Sequence, residues 1–397
     1  MHVSPLSPSP RNNRTLGTIP GFRIGLILAV LVVGSILLMD GVGCLFSRGC
    51  SPARSSDGGN TSTNATEHAE AIPAAPPGLR YVLPTPQTLE RLSDTSSSNV
   101  YAATESGRLE SAFYGSTRRN AKGVRFHEGV DISPTRRDKK GRPLDDVFAV
   151  ADGRVAYINS RPGNSSYGIY VVLTHDDPMG WIYTLYGHLA SVPADLTAGK
   201  DVKAGQVIGR MGQTSAATVI PAASAHLHFE IGTCMNTRYP EYMKRRQDRL
   251  THGAWDGRNL YGIDPLKLLL HRDGEGRFSM LPALQAEPVA ITFAVAVDPT
   301  RLPEYYRRYP GLCELGKGQA PKVANCARLD VSEGGVPLRL RPWPDDEPAP
   351  AAKDLPKVHA VNEEALGLNG RGYVTRKSGA WALTQAGRNW LDHLFFR

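Results

Sequence analysis

Residues 169–186 read IYVVLTHDDPMGWIYTLY, two runs rich in β-branched and aromatic residues on either side of a Pro-Met-Gly turn signal. Runs of this kind, bounded by turn residues, are typical of β-strands. Shorter runs with the same character lie at 147–150, 154–158 and 206–208, each next to its own turn signal. This texture predicts a mainly β fold whose central part is a compact antiparallel sheet.

The chain is long enough, at 397 residues, for two domains or for one large domain with appendages. Its 40 Gly and 30 Pro indicate many turns and at least one loose segment. The formal net charge of +8 and the pI near 9.2 favour contact with a polyanion, whether nucleic acid, anionic lipid or an anionic cell-wall polymer. Charge alone leaves these three partners open.

The first 46 residues are predicted to carry an export or anchoring signal. Arg11, Arg14 and Arg23 precede an almost unbroken apolar run at 24–39. A cationic flank of this kind stays in the cytoplasm while the following chain crosses the membrane. We therefore predict an extracytoplasmic, membrane-anchored protein. A buried core helix is disfavoured, because the run has no amphipathic stripe.

The fate of this segment is open between cleavage, retention as an anchor and lipidation. The apolar run is longer than an ordinary cleaved signal and shorter than a comfortable membrane span. The stretch Gly41-Val42-Gly43-Cys44 resembles a lipobox, with Gly41 where that pattern normally has Leu. We expect a retained anchor, with lipidation of Cys44 as the second choice.

Composition divides the rest of the chain into three parts. Residues 47–98, rich in Ser, Thr, Asn, Pro and Ala, are predicted to be a low-complexity linker. Residues 99–280 contain the strand-like runs and are predicted to form one domain. Residues 281–397 are predicted to be a small mixed α+β accessory region, ending in a helix capped by Thr384. We expect no nucleic acid partner for a region outside the cytoplasm.

Two short motifs inside the β-rich part carry metal-ligand chemistry. His127 and Asp131 are four residues apart, and His226 and His228 are two apart. On a strand, residues separated by two share a face, so both members of the second pair can point into one groove. Imidazole nitrogens with one carboxylate suit Zn²⁺, and three protein ligands leave a fourth position open for catalysis. Either motif alone is more often a coincidence or a hydrogen-bonded pair.

The combination of motifs resembles the lysostaphin/LytM-type zinc endopeptidases, also called β-lytic enzymes. The matching stretches follow the order of that family over about residues 109–270. They are Ser111 to Gly115, Phe126 to Ile132, Val150 to Val155, Tyr167 to His175, Tyr186 to Leu189, Ala204 to Gly209, His226 to Ile231 and Ile263 to Pro265.

The resemblance implies a function and a role for each histidine. His127, Asp131 and His228 correspond to the zinc ligands, while His188 and His226 correspond to the non-ligand histidines that act on the attacking water and the oxyanion. The implied reaction is hydrolysis of peptide cross-links or cross-bridges of bacterial peptidoglycan by a Zn²⁺-dependent metalloendopeptidase. The implied fold is an antiparallel sheet with a groove along one face.

Two other classes of protein remain as alternatives. A non-catalytic envelope module or hydrolase activator can share this fold after losing its ligands, but no ligand is missing here. A cupin also uses His-x-His in a β fold, but there the pair comes first, whereas here it comes last in the sequence.

The sequence departs from the family pattern at two loops. The chain reads Gly212-Gln213-Thr214-Ser215 followed by a longer loop at 216–225, and the loop at 135–146 is long and basic. Both are expected to border the groove and to influence substrate preference, and the scissile bond stays open. Glu128 and Glu230 flank ligands. Either is a candidate acceptor for a ligand histidine, and Glu128 is expected to be solvated.

Overall fold

The computed structural model describes residues 78–103, 107–120, 123–315 and 326–397. The predicted signal or anchor at 1–46 and residues 47–77 of the predicted linker lie outside these residues. The prediction of a linker up to residue 98 is wrong for residues 78–98, which contain the strand Leu79–Arg80, the helix Leu89–Ser93 and the buried side chain of Leu92. The described residues all belong to one compact unit, which the contacts bound at Ala71–Arg397. Within the described ranges, no helix is both long enough and apolar enough to cross a bilayer.

The central element is a nine-stranded sheet in which every pairing is antiparallel. Its strands are β4 (Val130–Ile132), β5 (Asp146–Phe148), β6 (Gly153–Asn159), β7 (Ile169–Asp177), β8 (Gly180–Ser191), β9 (Asp201–Val202), β10 (Val207–Met211), β11 (Leu227–Cys234) and β12 (Leu260–Ile263). The main path runs β12-β11-β8-β7-β6-β9, with β4 on β11, β10 on β8 and β5 on β10. Two short antiparallel pairs lie outside this sheet. In one, β1 (Leu79–Arg80), which comes before the sheet in the chain, pairs with β13 (Arg277–Phe278), which comes after it. In the other, β2 (Thr117–Asn120) pairs with β3 (Gly123–Phe126), and both come before the sheet.

The hairpin β7–β8 explains why the sheet forms. Its register places Val171 opposite Tyr186 and Val172 opposite Leu185. Val171 and Tyr186 belong to the main core, whereas Val172 and Leu185 pack into a second apolar cluster on the other face. Because both faces are covered there, positions 169–173 of β7 and nearly all of 181–186 of β8 are apolar or aromatic, which accounts for the continuous runs in the sequence. The predicted mainly β, antiparallel fold is confirmed.

The C-terminal region contains a second sheet and most of the helices. Strands β14 (Ile291–Ala296), β15 (Cys326–Val331), β16 (Pro337–Pro342) and β17 (Lys357–Val361) pair antiparallel in the order β16-β15-β14-β17, and β18 (Val374–Lys377) pairs with β19 (Ala380–Leu383). The α-helices of the described residues are α1 (Leu89–Ser93), α2 (Tyr239–Arg246), α3 (Pro265–Leu270), α4 (Met280–Ala286), α5 (Glu304–Arg308), α6 (Glu363–Leu366) and α7 (Gln385–Leu394). The side chain of Thr384 accepts a hydrogen bond from the amide of Gly387, so the predicted cap of the terminal helix is confirmed.

Contacts between the C-terminal region and the central sheet cross the predicted boundary at residue 280. The hydroxyl of Tyr309 donates to the carbonyl of Trp181 over 2.8 Å, and the hydroxyls of Tyr305 and Thr233 lie 3.2 Å apart. Both tyrosines are fully buried. These contacts lie near the start of β8 and the end of β11, so the C-terminal region packs against the two strands that carry His188 and His228. The independence of residues 99–280 stays a prediction.

Candidate metal centre

Strand pairing brings the three predicted ligands together. Asp131 on β4 lies directly opposite His228 on β11, and His127 lies in the turn that leads into β4. Each of the three residues offers one ligand atom, and these three atoms all lie within 4.8 Å of one another. All three side chains are buried. The cluster is the only group of its kind found among the described residues.

Hydrogen bonds fix which nitrogen of each ligand histidine faces the centre. The Nδ1 of His127 donates to the carbonyl of Phe113 over 2.9 Å, so its Nε2 faces Asp131. The Nε2 of His228 donates to Glu230 over 2.8 Å, so its Nδ1 faces Asp131. The three inward atoms are separated by 3.0–3.2 Å. Ligand atoms of a tetrahedral zinc ion with bonds of about 2.0–2.2 Å lie roughly 3.3–3.6 Å apart, so the donor set fits this metal after a shift of a few tenths of an ångström.

The protonation of this cluster is uneven. Burial lowers the pKa of His127 to about 4. Burial also opposes ionisation of Asp131, but Arg118 and His127 hold the pKa of its carboxyl well below the usual value. Burial alone would lower the pKa of His228, yet hydrogen bonds to Asp131 and Glu230 outweigh it and raise that pKa to about 9. A metal ion entering the cluster therefore replaces a proton on His228.

Glu230 is the outer partner of His228. It is fully buried, and its second oxygen accepts a hydrogen bond from the hydroxyl of Tyr183 over 2.9 Å. Burial raises the pKa of this carboxyl, but the hydrogen bonds from His228, Tyr167 and Tyr183 prevail and lower it. A carboxylate that holds a ligand histidine in one tautomer is a recurrent feature of metal sites. Of the two candidate glutamates, the structure assigns this place to Glu230.

Glu128 has a different environment from the one expected. Its side chain is 14% exposed and lies 3.0 Å from the guanidinium of Arg371, so the prediction of a solvated Glu128 is wrong. The same guanidinium lies over the rings of Phe126 and Tyr261. Arg371 comes from the C-terminal region, and no local pattern around Glu128 signals it. The residue that follows the ligand His127 is therefore fixed by a distant part of the chain.

His188 and His226 lie beside the cluster and face each other, with ring centroids 4.8 Å apart. The Nδ1 of His226 donates to the carbonyl of Ser224 over 2.7 Å, and the Nδ1 of His188 donates to the carbonyl of Thr214 over 2.8 Å. The Nε2 of His226 is buried, has no hydrogen-bond partner and lies 3.6 Å from a carboxylate oxygen of Asp131. Burial lowers the pKa of both rings. Two neutral imidazoles thus lie side by side next to the cluster, each with its Nδ1 engaged by a backbone carbonyl.

The backbone that holds His188 contains two residues with positive φ angles. His188 itself has a φ of 58°, a left-handed conformation that a non-glycine residue rarely adopts. Gly168 has a φ of 63°, and a Cβ at this position would lie 2.1 Å from the carbonyl oxygen of Thr214. Only glycine fits there. The close approach of Gly168 lets Thr214 hold the ring of His188 in place.

Arg118 is the one residue at the centre that the sequence analysis missed. Its Nη2 donates to Asp131 and lies 3.1 Å from both ring nitrogens of His127. It also donates to the carbonyl of Ser111 over 2.6 Å. A cation on the strand before the first motif is the only available sequence signal, and nothing in its spacing connects it to the ligands.

The sequence profile of peptidase family M23 matches residues 125–240, which include all five predicted site residues. Residues 125–240 form a peptidase family M23 domain. The resemblance to the lysostaphin/LytM-type enzymes is thereby confirmed for this M23 domain. Peptidases of this family depend on zinc, and the cluster of His127, Asp131 and His228 could hold a metal ion.

Solved structures with similar folds include three peptidases. The catalytic domain of lysostaphin from Staphylococcus simulans is 20% identical, with 45% of this chain and 95% of that chain covered and a TM-score of 0.26. A mutant catalytic domain of the prophage-encoded M23 protein EnpA from Enterococcus faecalis is 24% identical, with 34% and 83% covered and a TM-score of 0.23. A zinc-containing peptidase from Vibrio cholerae is 28% identical, with 33% and 35% covered and a TM-score of 0.23. No curated protein matches the sequence.

Proposed function

We propose that this protein is a zinc-dependent endopeptidase that hydrolyses peptide cross-links or cross-bridges of bacterial peptidoglycan. The observation that carries the proposal is the arrangement of His127, Asp131 and His228, whose inward atoms lie 3.0–3.2 Å apart beside two neutral histidines. A purely structural metal site has four protein ligands, whereas this cluster has three. The M23 domain gives the arrangement its chemical context.

The roles of His188 and His226 follow from which ring nitrogen of each residue carries the proton. A zinc ion held by the three ligands would polarise the scissile carbonyl and acidify the attacking water. The Nε2 atoms of His188 and His226 are both unprotonated, because each ring donates through Nδ1 to a backbone carbonyl. One of them accepts a proton from the attacking water, and the protonated ring then returns it to the leaving amine. The other ring takes up a proton from solvent water as negative charge develops beside it, and its Nε2–H then donates a hydrogen bond to the oxyanion.

The proposed location is outside the cytoplasm, with the N-terminal segment holding the protein at the membrane. Support comes from the cationic flank and apolar run in the first 46 residues. The proposed partners are peptidoglycan peptides and the membrane. A reporter fused after Leu270 should be active only outside the cytoplasm, and activity confined to the cytoplasm would refute this topology.

The function is tested by measuring zinc content and cleavage of purified sacculi on the same preparations of the full chain. Alanine at His127, Asp131 or His228 should abolish both bound zinc and the release of muropeptides. Alanine at His188 or His226 should leave zinc in place and reduce turnover by about 10²–10⁴-fold.

Two results would count against this assignment. Loss of zinc from the His188 or His226 variants to the same degree as from His228→Ala would show that the ligands are wrongly chosen. A wild-type protein that binds zinc but releases no muropeptide would favour the non-catalytic envelope module instead.

A further inference from the structure

A cavity of about 640 Å³ lies next to two residues that contact the non-ligand histidines. Thr214 and Gly212 form part of its lining. The carbonyl of Thr214 accepts the hydrogen bond from His188, and Gly212 forms an isolated β-bridge with His226. The cavity therefore borders the two residues that hold these histidines, although neither histidine is among its lining residues.

The two loops that depart from the family pattern build this cavity. One wall comes from the loop at 135–146 and the other from the loop at 212–225. The guanidinium of Arg137 joins the two loops, because it donates to the carbonyl of Ala222 over 2.5 Å and to that of Ala225 over 3.1 Å. This connection fixes the distance between the walls, so the cavity is formed before any ligand binds.

The charged lining is dominated by cations. Lys140, Arg142 and Arg210 line the cavity together with a single carboxylate, that of Asp138. Arg142 is bound to Asp138 over 2.7 Å, and Arg210 lies 3.4 Å from the carboxylate of Asp146. Lys140 is exposed and has no ion pair among the described residues. The lining also contains apolar groups such as Leu144. The cavity therefore suits a ligand with small apolar side chains and at least one free carboxylate.

We propose that this cavity is a substrate subsite for a peptide with free carboxylates, so that the protein acts on the anionic stem peptides of peptidoglycan rather than on neutral glycine bridges. This inference rests on the proposed function, because it names the substrate of the same site. A carboxylate gains from the unpaired cation, whereas an uncharged glycine segment leaves Lys140 without a partner and has no side chain to contact the apolar lining. The same cations favour a free carboxylate over its amide.

Binding to the zinc-depleted full chain tests the subsite without any turnover. Isothermal titration would compare three probes: a stem tetrapeptide with free carboxylates, the same peptide with every carboxyl amidated, and acetylated, amidated pentaglycine. We expect the free acid to bind roughly tenfold more tightly than its amide at low salt, and the advantage to shrink as ionic strength rises. Equal affinity of the acid and the amide would overturn the proposal.

Two double variants test whether the preference for the free acid comes from the cavity. The double variant Lys140→Gln, Arg142→Gln should bind the free acid no better than wild type binds the amide. The control Lys200→Gln, Lys203→Gln removes the same charge from lysines outside the cavity and should leave the acid-to-amide ratio unchanged. A loss of selectivity in the control equal to that in the cavity variant would mean that only overall charge matters, and the subsite would be refuted.

A cleavage assay with the zinc-loaded full chain separates this proposal from the one on which it rests. Preferential cleavage of the free-acid stem peptide supports both. Cleavage of pentaglycine at the same rate as the stem peptide overturns the subsite and leaves the peptidase in place. Selective binding of the free acid without any cleavage removes the peptidase and leaves the subsite in place.

Discussion

Replacing Glu230 with glutamine tests whether the M23 domain positions its metal ligands through an outer carboxylate. Glu230 is fully buried and accepts hydrogen bonds from the Nε2 of His228 over 2.8 Å and from the hydroxyl of Tyr183 over 2.9 Å. Tyr167 is a third hydrogen-bond donor to the same carboxylate. The substitution changes a few atoms and keeps the volume, so any effect comes from charge and hydrogen bonding.

The expected losses of zinc affinity and folding stability follow from these three donors to Glu230. A carboxylate accepts from all three groups, whereas the amide of glutamine presents its own N–H groups to at least one of them. The ring of His228 then loses its fixed tautomer and its basicity falls. Loss of such an outer partner weakens metal binding by about 10–100-fold, equivalent to roughly 1.4–2.7 kcal/mol. A buried donor left unpaired costs a further 1–3 kcal/mol or so of folding stability.

Zinc affinity would be measured by competition with a chromophoric chelator at fixed pH, and stability by urea unfolding of the metal-free protein. Asp330→Asn is the matched control. Asp330 is also a fully buried carboxylate, but it pairs with Arg341 in the C-terminal sheet. The control should lose stability and keep its zinc affinity. An unchanged zinc affinity in Glu230→Gln, or an equal loss in both variants, would refute the reasoning.

Arg371→Ala should lower folding stability by about 1–3 kcal/mol in calorimetry, because it leaves the partly buried carboxylate of Glu128 unpaired, whereas Arg376→Ala on the surface should cost less than about 1 kcal/mol; equal losses would refute this. Arg118→Gln should tighten zinc binding by up to about tenfold in the chelator assay, since a cation no longer competes for the aspartate ligand, and weaker binding would contradict it. Burial lowers the pKa of His175 to about 4. Between pH 6.5 and 4 the imidazole of His175 therefore gains a proton only in the unfolded state. The contribution of His175 to the free energy of unfolding is complete above pH 6.5, and up to about 3 kcal/mol of it is lost as the pH falls toward 4. Urea unfolding of His175→Gln should show a shallower decline over this range, and an unchanged slope would count against it.

The parts of the site that the sequence predicted are those governed by local periodicity. His226, His228 and Glu230 alternate along the chain, so one strand direction places all three on the same side. The alternation of apolar residues between them fixes which side faces the core. The approach of Asp131 to His228 required strand order as well, and here the family resemblance supplied what the residues alone left open.

The parts that the sequence could not predict come from distant segments. Arg118 reaches Asp131 from a separate hairpin, and Arg371 reaches Glu128 from 243 residues further along the chain. Such contacts depend on how loops and sheets pack, and a single sequence has no signal for that. The expectation for Glu128 failed for this reason: an acidic residue next to a glycine between two strands has the composition of a solvated position, and its partner is non-local.

The tyrosines of the C-terminal region have a consequence for protein engineering. A transplant limited to residues 125–240 would carry every residue of the predicted metal centre into its new host. It would also lack Tyr305 and Tyr309, which contact the start of β8 and the end of β11, and would leave the carboxylate of Glu128 without Arg371. A chimera that keeps the chemistry of the metal centre therefore has to include the C-terminal region as well as residues 125–240.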